Sequence, residues 1–198
     1  MSFWSDSSLG GFEPKRQFRW TVSFKNLGGD LVFMASSANK QSYSVKGTDH
    51  HILNHIFKFP SKVEWKDIKV SFVDAVQPDI GSKFYNALLN AGYIQPVDFS
   101  SVLTGITKVQ STSVIGDVEI RQLDGGIVGG AELDPANIPG VPQAPNVVGK
   151  WTLKNAWLTE VDFGGELKYE SEGLVTIATT IKYDYATYDP AILPYGVG

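Results

Sequence analysis

Cysteine is absent from this chain of 198 residues, and long apolar runs are absent as well. Without cysteine the fold has neither disulfides nor thiolate metal sites, so packing must hold it, as is usual in a reducing cytoplasm. No apolar stretch approaches the ~20 residues of a membrane-spanning helix. The N-terminal sequence MSFWSDSSLGGFEP has neither a basic leader nor an apolar segment, so we expect no signal peptide and no membrane partner.

Catalytic and metal-binding signatures are also scarce. The chain has three histidines, all within TDHHILNHIF, where His51 and His55 could share a helical face beside Asp49. A zinc site usually needs three or four protein ligands, and the chain offers no further histidine or cysteine to complete one. Asp117 and Glu119 lie on one face of a predicted strand, as glycosidase carboxylates can, but such pairs are common on strand surfaces. We therefore predict no catalytic residue, no metal and no cofactor.

The net charge of -4 is unevenly distributed along the chain. Residues 1–75 hold ten Lys/Arg and seven Asp/Glu, whereas residues 76–198 hold seven and fourteen. A basic front and an acidic back would help identical subunits meet head to tail, although ordinary scatter of surface charge explains the same numbers. EPKRQFR is the only basic cluster, so the composition does not indicate a nucleic-acid-binding surface.

Apolar and polar residues alternate in several segments, which predicts half-buried β-strands. We expect NLGGD to form a tight turn that pairs the first strand with residues 31–35 in a hairpin. Together with residues 174–185, these segments predict at least six strands in one mainly β, antiparallel domain of the sandwich or barrel type. The inward-facing residues predicted outside 174–185 are Phe18, Trp20, Val22, Phe24, Ile68, Val70, Phe72, Val118, Ile120, Trp151, Leu153 and Trp157.

The run from 174 to 185 alternates for twice the length of an ordinary strand. As one strand it would extend roughly 35 Å at about 3.3 Å per residue. Its polar side is small and nearly neutral, which suits either plain solvent exposure or the lining of a passage. The predicted buried side is Val175, Ile177, Thr179, Ile181, Tyr183 and Tyr185, and the polar side is Leu174, Thr176, Ala178, Thr180, Lys182 and Asp184.

Two segments show helical spacing. Residues 79–93 place Phe84, Tyr85, Leu88 and Leu89 on one face, with Ser82 as the expected N-cap and Gly92 as the terminating residue. Residues 97–110 form a weaker candidate, because Thr and Val lower helix propensity. Its spaced apolar residues are Phe99, Val102, Leu103, Ile106 and Val109.

Four segments of the single domain 1–198 have no regular pattern. They are the N-terminal arm (1–15), a long connection (36–61), a Gly/Pro-rich insert (125–149) and the C-terminal tail (187–198). A connection as long as 36–61 is too long to be idle in a compact domain. The two ends carry apolar residues that either dock on neighbouring molecules or fold back onto their own domain, and the docking candidates are Phe3, Trp4, Ile192 and Leu193.

Two stretches together resemble a known family. Residues 151–186, WTLKNAWLTEVDFGGELKYESEGLVTIATTIKYDYA, resemble the tail-tube proteins of contractile-tailed bacteriophages, in which a W-x-L-x-x-x-W strand leads to a long final strand ending in a Tyr-Asp-Tyr type motif. Residues 57–93 are similar to the proline turn, tryptophan, strand and helix of the same family. With the first hairpin, the resemblance covers about two thirds of the chain, and the insert and both ends depart from it.

The resemblance implies a β-sandwich or barrel with one flanking helix, in hexameric rings whose inner sheets join into a β-lined bore. The rings stack into a tube inside a contractile sheath, which conducts DNA without binding it specifically. The implied partners are the chain itself, the sheath protein, and the baseplate and tail terminator proteins, and the implied location is the virion tail, assembled in the host cytoplasm. The implied lumen residues are Thr176, Ala178, Thr180, Lys182 and Asp184, and the implied inter-ring contacts, in the loop 36–61, are Tyr43, Val45, Ile52 and Ile56.

Other functions remain open at this point. Within the family, the chain could be a baseplate-proximal tube initiator or a tube protein of a secretion system. Outside it, a carbohydrate-binding β-sandwich could present Trp4, Trp65 or Trp157 to a sugar. A carbohydrate-binding module would stay monomeric and bind glycans, whereas an assembly protein would form rings or filaments.

Overall fold

The structure, a computed structural model, describes residues 15–28, 31–97, 105–123, 147–165, 168–170 and 172–190, without the side chain of Phe33. The elements in these ranges are β1 (Trp20–Phe24), α1 (Leu31–Met34), β2 (Ala35–Ala38), β3 (Tyr43–Ile52), β4 (His55–Trp65), β5 (Ile68–Val73), α2 (Ile80–Asn90), α3 (Lys108–Ile115), β6 (Val118–Leu123), β7 (Val147–Lys154), β8 (Trp157–Asp162), β9 (Thr176–Lys182) and β10 (Tyr185–Pro190).

Two four-stranded antiparallel sheets form the body of the molecule. The first sheet has the strand order β1-β6-β7-β10 and the second has the order β2-β5-β9-β8, while β3 and β4 pair only with each other. The predicted mainly β, antiparallel class is confirmed. Within the described part of the chain neither sheet closes into a barrel, so each sheet keeps two edge strands.

The core lies between the two sheets. Phe24 of β1 and Phe72 of β5 bring the sheets together with ring centroids 5.9 Å apart, and Phe72 also meets Phe84 of α2 at 5.3 Å. The alternation that predicted β5 is confirmed, because Ile68, Val70 and Phe72 are fully buried. In β6, β7 and β1 the core residues are Val118, Ile120, Leu153, Val22 and Phe24.

The predicted hairpin between β1 and residues 31–35 is wrong. β1 pairs with β6 instead, Leu31–Met34 form a single helical turn, and β2 joins β5 in the other sheet. The segment LVFMA is continuously apolar and lacks the alternation that selects a strand face, and Leu31 is buried in the core. The chain therefore uses this segment to cross from one sheet to the other. Phe18 precedes β1 and is exposed, contrary to its predicted inward position.

The single long strand predicted over 174–185 is also wrong. The chain forms β9 in the second sheet, turns at Tyr183 and Asp184, and continues as β10 in the first sheet, where it pairs with β7. The predicted buried side is confirmed from Ile177 to Tyr183, but Val175 and Tyr185 are exposed. Alternation continues through the turn because each of the two strands has one face on the same core. Residues 187–190, predicted to belong to the tail, lie in β10.

β7 and β8 make the same change of sheet. Asn155 adopts a left-handed backbone with φ 55° between them, and Ala156 beside it is fully buried. Leu153 is buried, as predicted, whereas Trp151 and Trp157 are half-buried. The two-residue connections after β7 and after β9 thus tie the two sheets together at the same side of the sandwich, since Asp184 N–H donates to the Lys154 carbonyl at 3.0 Å.

The predicted helix over 79–93 exists as α2, but its cap is one turn earlier than expected. The Asp79 carboxylate accepts a hydrogen bond from the Ser82 amide at 2.9 Å, so Asp79 and not Ser82 is the N-cap. The buried face also differs, because Ile80, Phe84 and Ala87 are buried while Tyr85, Leu88 and Leu89 are exposed.

The weaker helix predicted over 97–110 lies further along the chain. α3 begins after Thr107, whose hydroxyl accepts from the Gln110 amide, and only Ile115 of this helix is buried. Phe99, Val102 and Leu103 lie outside the described residues. Ile106 and Val109 are exposed.

Candidate assembly surfaces

Residues 43–65 form a long antiparallel hairpin, which we call the hairpin arm. Strands of ten and eleven residues are joined by a two-residue turn at Leu53 and Asn54, so each strand is roughly 33 Å long at about 3.3 Å per residue. The sequence predicted an irregular connection over 36–61, and that expectation is wrong for most of the segment. An isolated two-stranded hairpin is marginally stable in water, so an arm of this length is expected to find a partner surface.

The hairpin arm exposes many large apolar side chains. The predicted contact residues Tyr43, Val45, Ile52 and Ile56 all lie on it and are about half exposed, between 48% and 60%. Sequence reasoning missed Leu53, Phe57, Phe59 and Val63, and Leu53 at the tip is 99% exposed with a left-handed backbone. The signal was available as alternation in HIFKFPSKVEW, but Pro60 suggested a turn. Pro60 instead lies inside β4, next to the register shift between Val45 and Gly47.

The register shift moves the apolar side chains from one face of the arm to the other. Near the base, Tyr43 and Val45 lie directly opposite Trp65 and Val63 and share one face with them. Beyond the extra residue in β4, the apolar partners lie mainly on the opposite face, which holds Ile52, Phe57 and Phe59. The arm therefore offers two separate apolar patches, one at its base and one towards its tip.

The base of the arm is anchored to the sandwich. The Trp65 ring packs between Tyr43 at 5.4 Å and Tyr183 at 5.9 Å, and the Lys66 amide donates to the Ser42 carbonyl. Trp65 is consequently half-buried and is not an open platform for a sugar ring. Trp157 is also half-buried, with the Lys108 ammonium 5.3 Å above its ring, and Trp4 lies outside the described residues.

All three histidines lie near the tip of the arm. His51 is opposite Ile56 and His55 is opposite Ile52, so these two histidines are on different faces of the hairpin. The helical arrangement considered for a metal pair is therefore absent. His50 and His55 instead make edge contacts with Phe59 and Phe57. Among the residues that the structure describes, no cluster of three metal-ligating side chains occurs, and no helix is long and apolar enough to cross a membrane.

The outer face of the second sheet contains four of the five predicted lumen residues. Thr176, Ala178 and Lys182 of β9 are exposed, and Thr180 is half-exposed with its hydroxyl 3.1 Å from Glu160. On β5 the neighbours across from β9 are Lys69, Ser71 and Val73, and on β8 they are Trp157, Glu160 and Asp162. The face has hydroxyls and an alanine at its centre, with both signs of charge at its edges.

Asp184, the fifth predicted lumen residue, lies beyond the end of β9. Its carboxylate accepts from the Lys108 ammonium at 2.7 Å and from the Asn155 amide at 2.9 Å. These hydrogen bonds, the one from Lys108 first, lower the pKa of Asp184 below its ordinary value. Asp184 therefore ties α3 to the turns between the sheets, and Lys108 neutralises its charge locally.

The outer face of the first sheet differs in being covered by ion pairs. Lys154 donates to Asp117 at 2.7 Å, Lys150 lies 3.1 Å from Asp189, and Arg121 pairs with Glu119. The hydrogen bond to Asp117 raises the pKa of Lys154. Asp117 and Glu119, the carboxylates considered as a glycosidase pair, each hold a cation. Neither is available as a free acid or base.

The hydroxyl of Tyr183 is buried and has no hydrogen-bond partner among the residues that the structure describes. Burial, together with the nearby charge of Asp67, raises the pKa of Tyr183 to about 12. Because the folded state holds this proton more tightly than the unfolded state, the free energy of unfolding falls as pH rises from about 10 to 12. Tyr183→Phe should leave stability at pH 7 equal or up to ~1 kcal/mol higher, and should reduce the alkaline loss.

Urea denaturation of Tyr183→Phe and of the unchanged chain at pH 7 and pH 10.5 measures both effects. Tyr185→Phe is the matched control, since Tyr185 is half exposed, and it should change neither value. A Tyr183→Phe chain that is markedly less stable at pH 7 would contradict the assignment of an unpartnered hydroxyl.

The apolar residues predicted to dock at the two ends, Phe3, Trp4, Ile192 and Leu193, lie outside the described residues. The described strands nevertheless locate where these ends leave the sandwich. Trp20, Gln122 and Gly149 occupy one row across β1, β6 and β7, and Pro190 of β10 extends the same row. The N-terminal arm, the insert and the C-terminal tail therefore all leave from one end of the first sheet.

No family model and no curated protein matches the sequence, whereas solved structures match the fold. A chain of the anti-feeding prophage cap, described as the tube-terminating cap, aligns with a TM-score of 0.60 and 18% identity over 96% of this chain and 100% of that one. The fold is that of contractile injection system subunits. A chain from the sheath-tube complex of the extracellular contractile injection system PVC aligns with a TM-score of 0.56 and 16% identity over 94% and 99% of the two chains.

A third similar structure is the anti-feeding prophage baseplate, with a TM-score of 0.59 and 12% identity over 92% of this chain and 99% of the matching chain. Each of these alignments covers nearly the whole length of both chains. Identities of this size establish the shared fold and leave the function to be inferred from the surfaces.

Proposed function

We propose that this protein is a structural subunit of the tube of a contractile tail or contractile injection machine. Copies of the chain associate edge to edge into rings, and the rings stack into a hollow tube within a sheath. The observation that carries the proposal is the hairpin arm, a long two-stranded projection with apolar side chains on both faces. An exposed apolar surface of this kind marks an interaction site, because water would otherwise cover it at a cost.

The sheet edges support association into rings. β1, β10, β2 and β8 each have one side without a strand partner in the described part of the chain. Free strand edges pair readily with other chains, and closing a ring removes them. We infer six-fold rings, as the tail-tube resemblance implies, with the outer face of the second sheet towards the bore.

A nearly neutral bore suits the passage of a polymer. Each phosphate held by a lysine would add salt-dependent affinity, whereas Thr176, Ala178 and Thr180 offer no charge. In a bacteriophage the tube would conduct DNA during ejection, and in an injection machine it would conduct another cargo. The sheath, baseplate and terminator proteins are the partners that either machine requires.

The similarity to cap and baseplate structures supports a second role within the same class. The chain could begin or end a tube instead of forming its length. Electron microscopy of the purified protein distinguishes the roles, because a tube subunit forms long tubes by itself and an initiator or terminator forms single rings. If the protein remained a monodisperse monomer at high concentration, both proposals would be wrong.

Because the chain has no cysteine, an introduced cysteine can be labelled without background. Such labelling tests whether the outer face of the second sheet lines the bore. Ala178→Cys on β9 should react in assembled tubes with a small maleimide but slowly with one that carries a large polymer. Thr187→Cys on β10, in the outer face of the first sheet, is the matched control. If the large reagent reacts equally with both variants, the second sheet does not line the bore. If the large reagent reacts more slowly with Thr187→Cys than with Ala178→Cys, the first sheet lines the bore instead.

A further inference from the structure

A cleft of about 480 Å³ opens at the end of the sandwich where the three undescribed segments leave. Trp20 and Trp151 of the first sheet form one wall, and the segment between β2 and β3, with Lys40 and Gln41, forms the other. Both tryptophans pack partly on the core and are half-buried. The volume is within the range of sites that hold small ligands or short peptide segments.

Gln41 is the most informative residue of the cleft. The nitrogen and the oxygen of its side-chain amide are both buried, and neither has a hydrogen-bond partner among the described residues. A buried unpaired amide costs about 1–3 kcal/mol for each unsatisfied group, so such groups usually mark a missing partner. A peptide backbone is a natural complement, since it supplies one N–H and one carbonyl per residue.

The cleft also has a charge preference. Lys40 lines it, and no carboxylate does among the described lining residues, while the Arg121 guanidinium is paired with Glu119 on the outer face of the first sheet. Lys40 reaches across the cleft to the Gln122 side-chain oxygen at 3.3 Å. The occupant should therefore be a peptide that combines aromatic side chains for the tryptophan wall with negative charge.

We propose that this cleft binds the chain's own N-terminal segment, residues 1–14, either within one molecule or from a neighbouring copy. The segment MSFWSDSSLGGFEP contains three aromatic residues, two carboxylates and no lysine or arginine. Its Trp4 can add a ring to the tryptophan wall and an indole N–H for the Gln41 oxygen. Asp6 and Glu13 supply the charge that Lys40 attracts.

The position of the first described residues favours this segment over the other two. Gln17 lines the cleft, and the Lys15 ammonium lies 5.9 Å from the ring of Tyr188, whose tilted ring contacts Trp151 with centroids 4.7 Å apart. Fourteen residues extend up to about 46–50 Å, which is ample to return to the cleft. The C-terminal tail leaves from β10, which pairs with the Trp151 strand, but its residues 191–198 have no charged side chain to meet Lys40, while the insert has no aromatic residue.

Cysteine pairs in the full-length protein test the assignment. Ser5→Cys combined with Asn39→Cys, at the exposed rim of the cleft, should crosslink with a short bismaleimide about tenfold more than Ser5→Cys combined with Thr187→Cys, which lies on the outer face of the first sheet. Both pairs leave Trp4 and Gln41, the residues of the proposed contact, in place. Lys40→Glu should reduce the crosslink severalfold by reversing the charge.

Each outcome decides a point. A crosslink within one chain or between two chains supports the proposal and identifies which molecule supplies the segment. Equal yields for the two cysteine pairs would overturn it, and so would a higher yield from Ile192→Cys with Asn39→Cys, which would assign the cleft to the C-terminal tail. Because an intrachain crosslink can form in a lone subunit, the test can succeed even where ring assembly fails, and the two failures remain distinguishable.

Discussion

The variant Ile52→Lys/Leu53→Lys/Ile56→Lys, with three charges on the tip of the hairpin arm, is expected to form no long tubes and to remain a folded subunit. These three side chains are 48%, 99% and 48% exposed, so the isolated molecule gains little from them. Burying a large apolar side chain contributes about 1.5–3 kcal/mol, and an unpaired lysine at the same contact opposes binding. Since every 1.4 kcal/mol changes an equilibrium constant about tenfold, and every subunit in a ring repeats the loss, stacking should fail completely.

Negative-stain microscopy and sedimentation measure the loss of tubes, and circular dichroism with a thermal melt verifies the fold. Val76→Lys is the matched control, because Val76 is 95% exposed in the connection between β5 and α2, away from the arm. Normal tubes from the triple variant would refute the role of the arm.

A deletion that respects the register gives the same test without new charges. Removing residues 46–62 and joining Val45 to Val63, which lie opposite each other, through an Asn-Gly turn would preserve the anchored base. A deletion limited to 38–55 would instead leave β4 without its partner strand.

The second large effect is expected at Phe72. Phe72→Ala should lower the free energy of unfolding by about 3–5 kcal/mol, since large-to-small changes in a core lose the transfer energy of the ring and leave a cavity. Phe72 is fully buried and touches Phe24 of the opposite sheet and Phe84 of α2, so the cavity would open where three elements meet. This loss is a large part of the 5–15 kcal/mol typical of a domain.

Urea denaturation gives the difference directly, with the slope of the transition testing for two-state behaviour. Val73→Ala, on the other face of the same strand and only half-buried, is the control and should cost about 1 kcal/mol or less. A Phe72→Ala loss as small as that of the control would mean that the core centre lies elsewhere.

Where a strand has one face on the core, its alternation can be read from the sequence. This is why Ile68, Val70 and Phe72 of β5, and Val118 and Ile120 of β6, are buried as predicted. Alternation reports which side is inward and carries no information about which strand is the partner. The pairing of β1 with β6, and the separation of β9 from β10, depend on contacts between residues far apart in the chain.

The candidate surfaces were accessible to sequence reasoning to different degrees. The outward position of Thr176, Ala178, Thr180 and Lys182 could be predicted because these residues share one parity of a single strand, and their place in a bore stays a prediction. Phe57 and Phe59 were missed because Pro60 suggested a turn where β4 continues, and Leu53 was missed because it lies in the exposed turn at the tip, outside any alternating strand. The Gln41 amide was missed because burial of a glutamine depends on neighbours from other strands.

Local spacing and composition predicted the mainly β class, the inward faces of most strands, the position of α2 and the absence of an enzyme signature. Only the folded molecule reveals that two short connections carry the chain between the sheets, that residues 43–65 project as an arm, and that a cleft forms beside Trp20 and Trp151. These features arise from pairing between distant segments, and that pairing is selected by the free energy of the whole core.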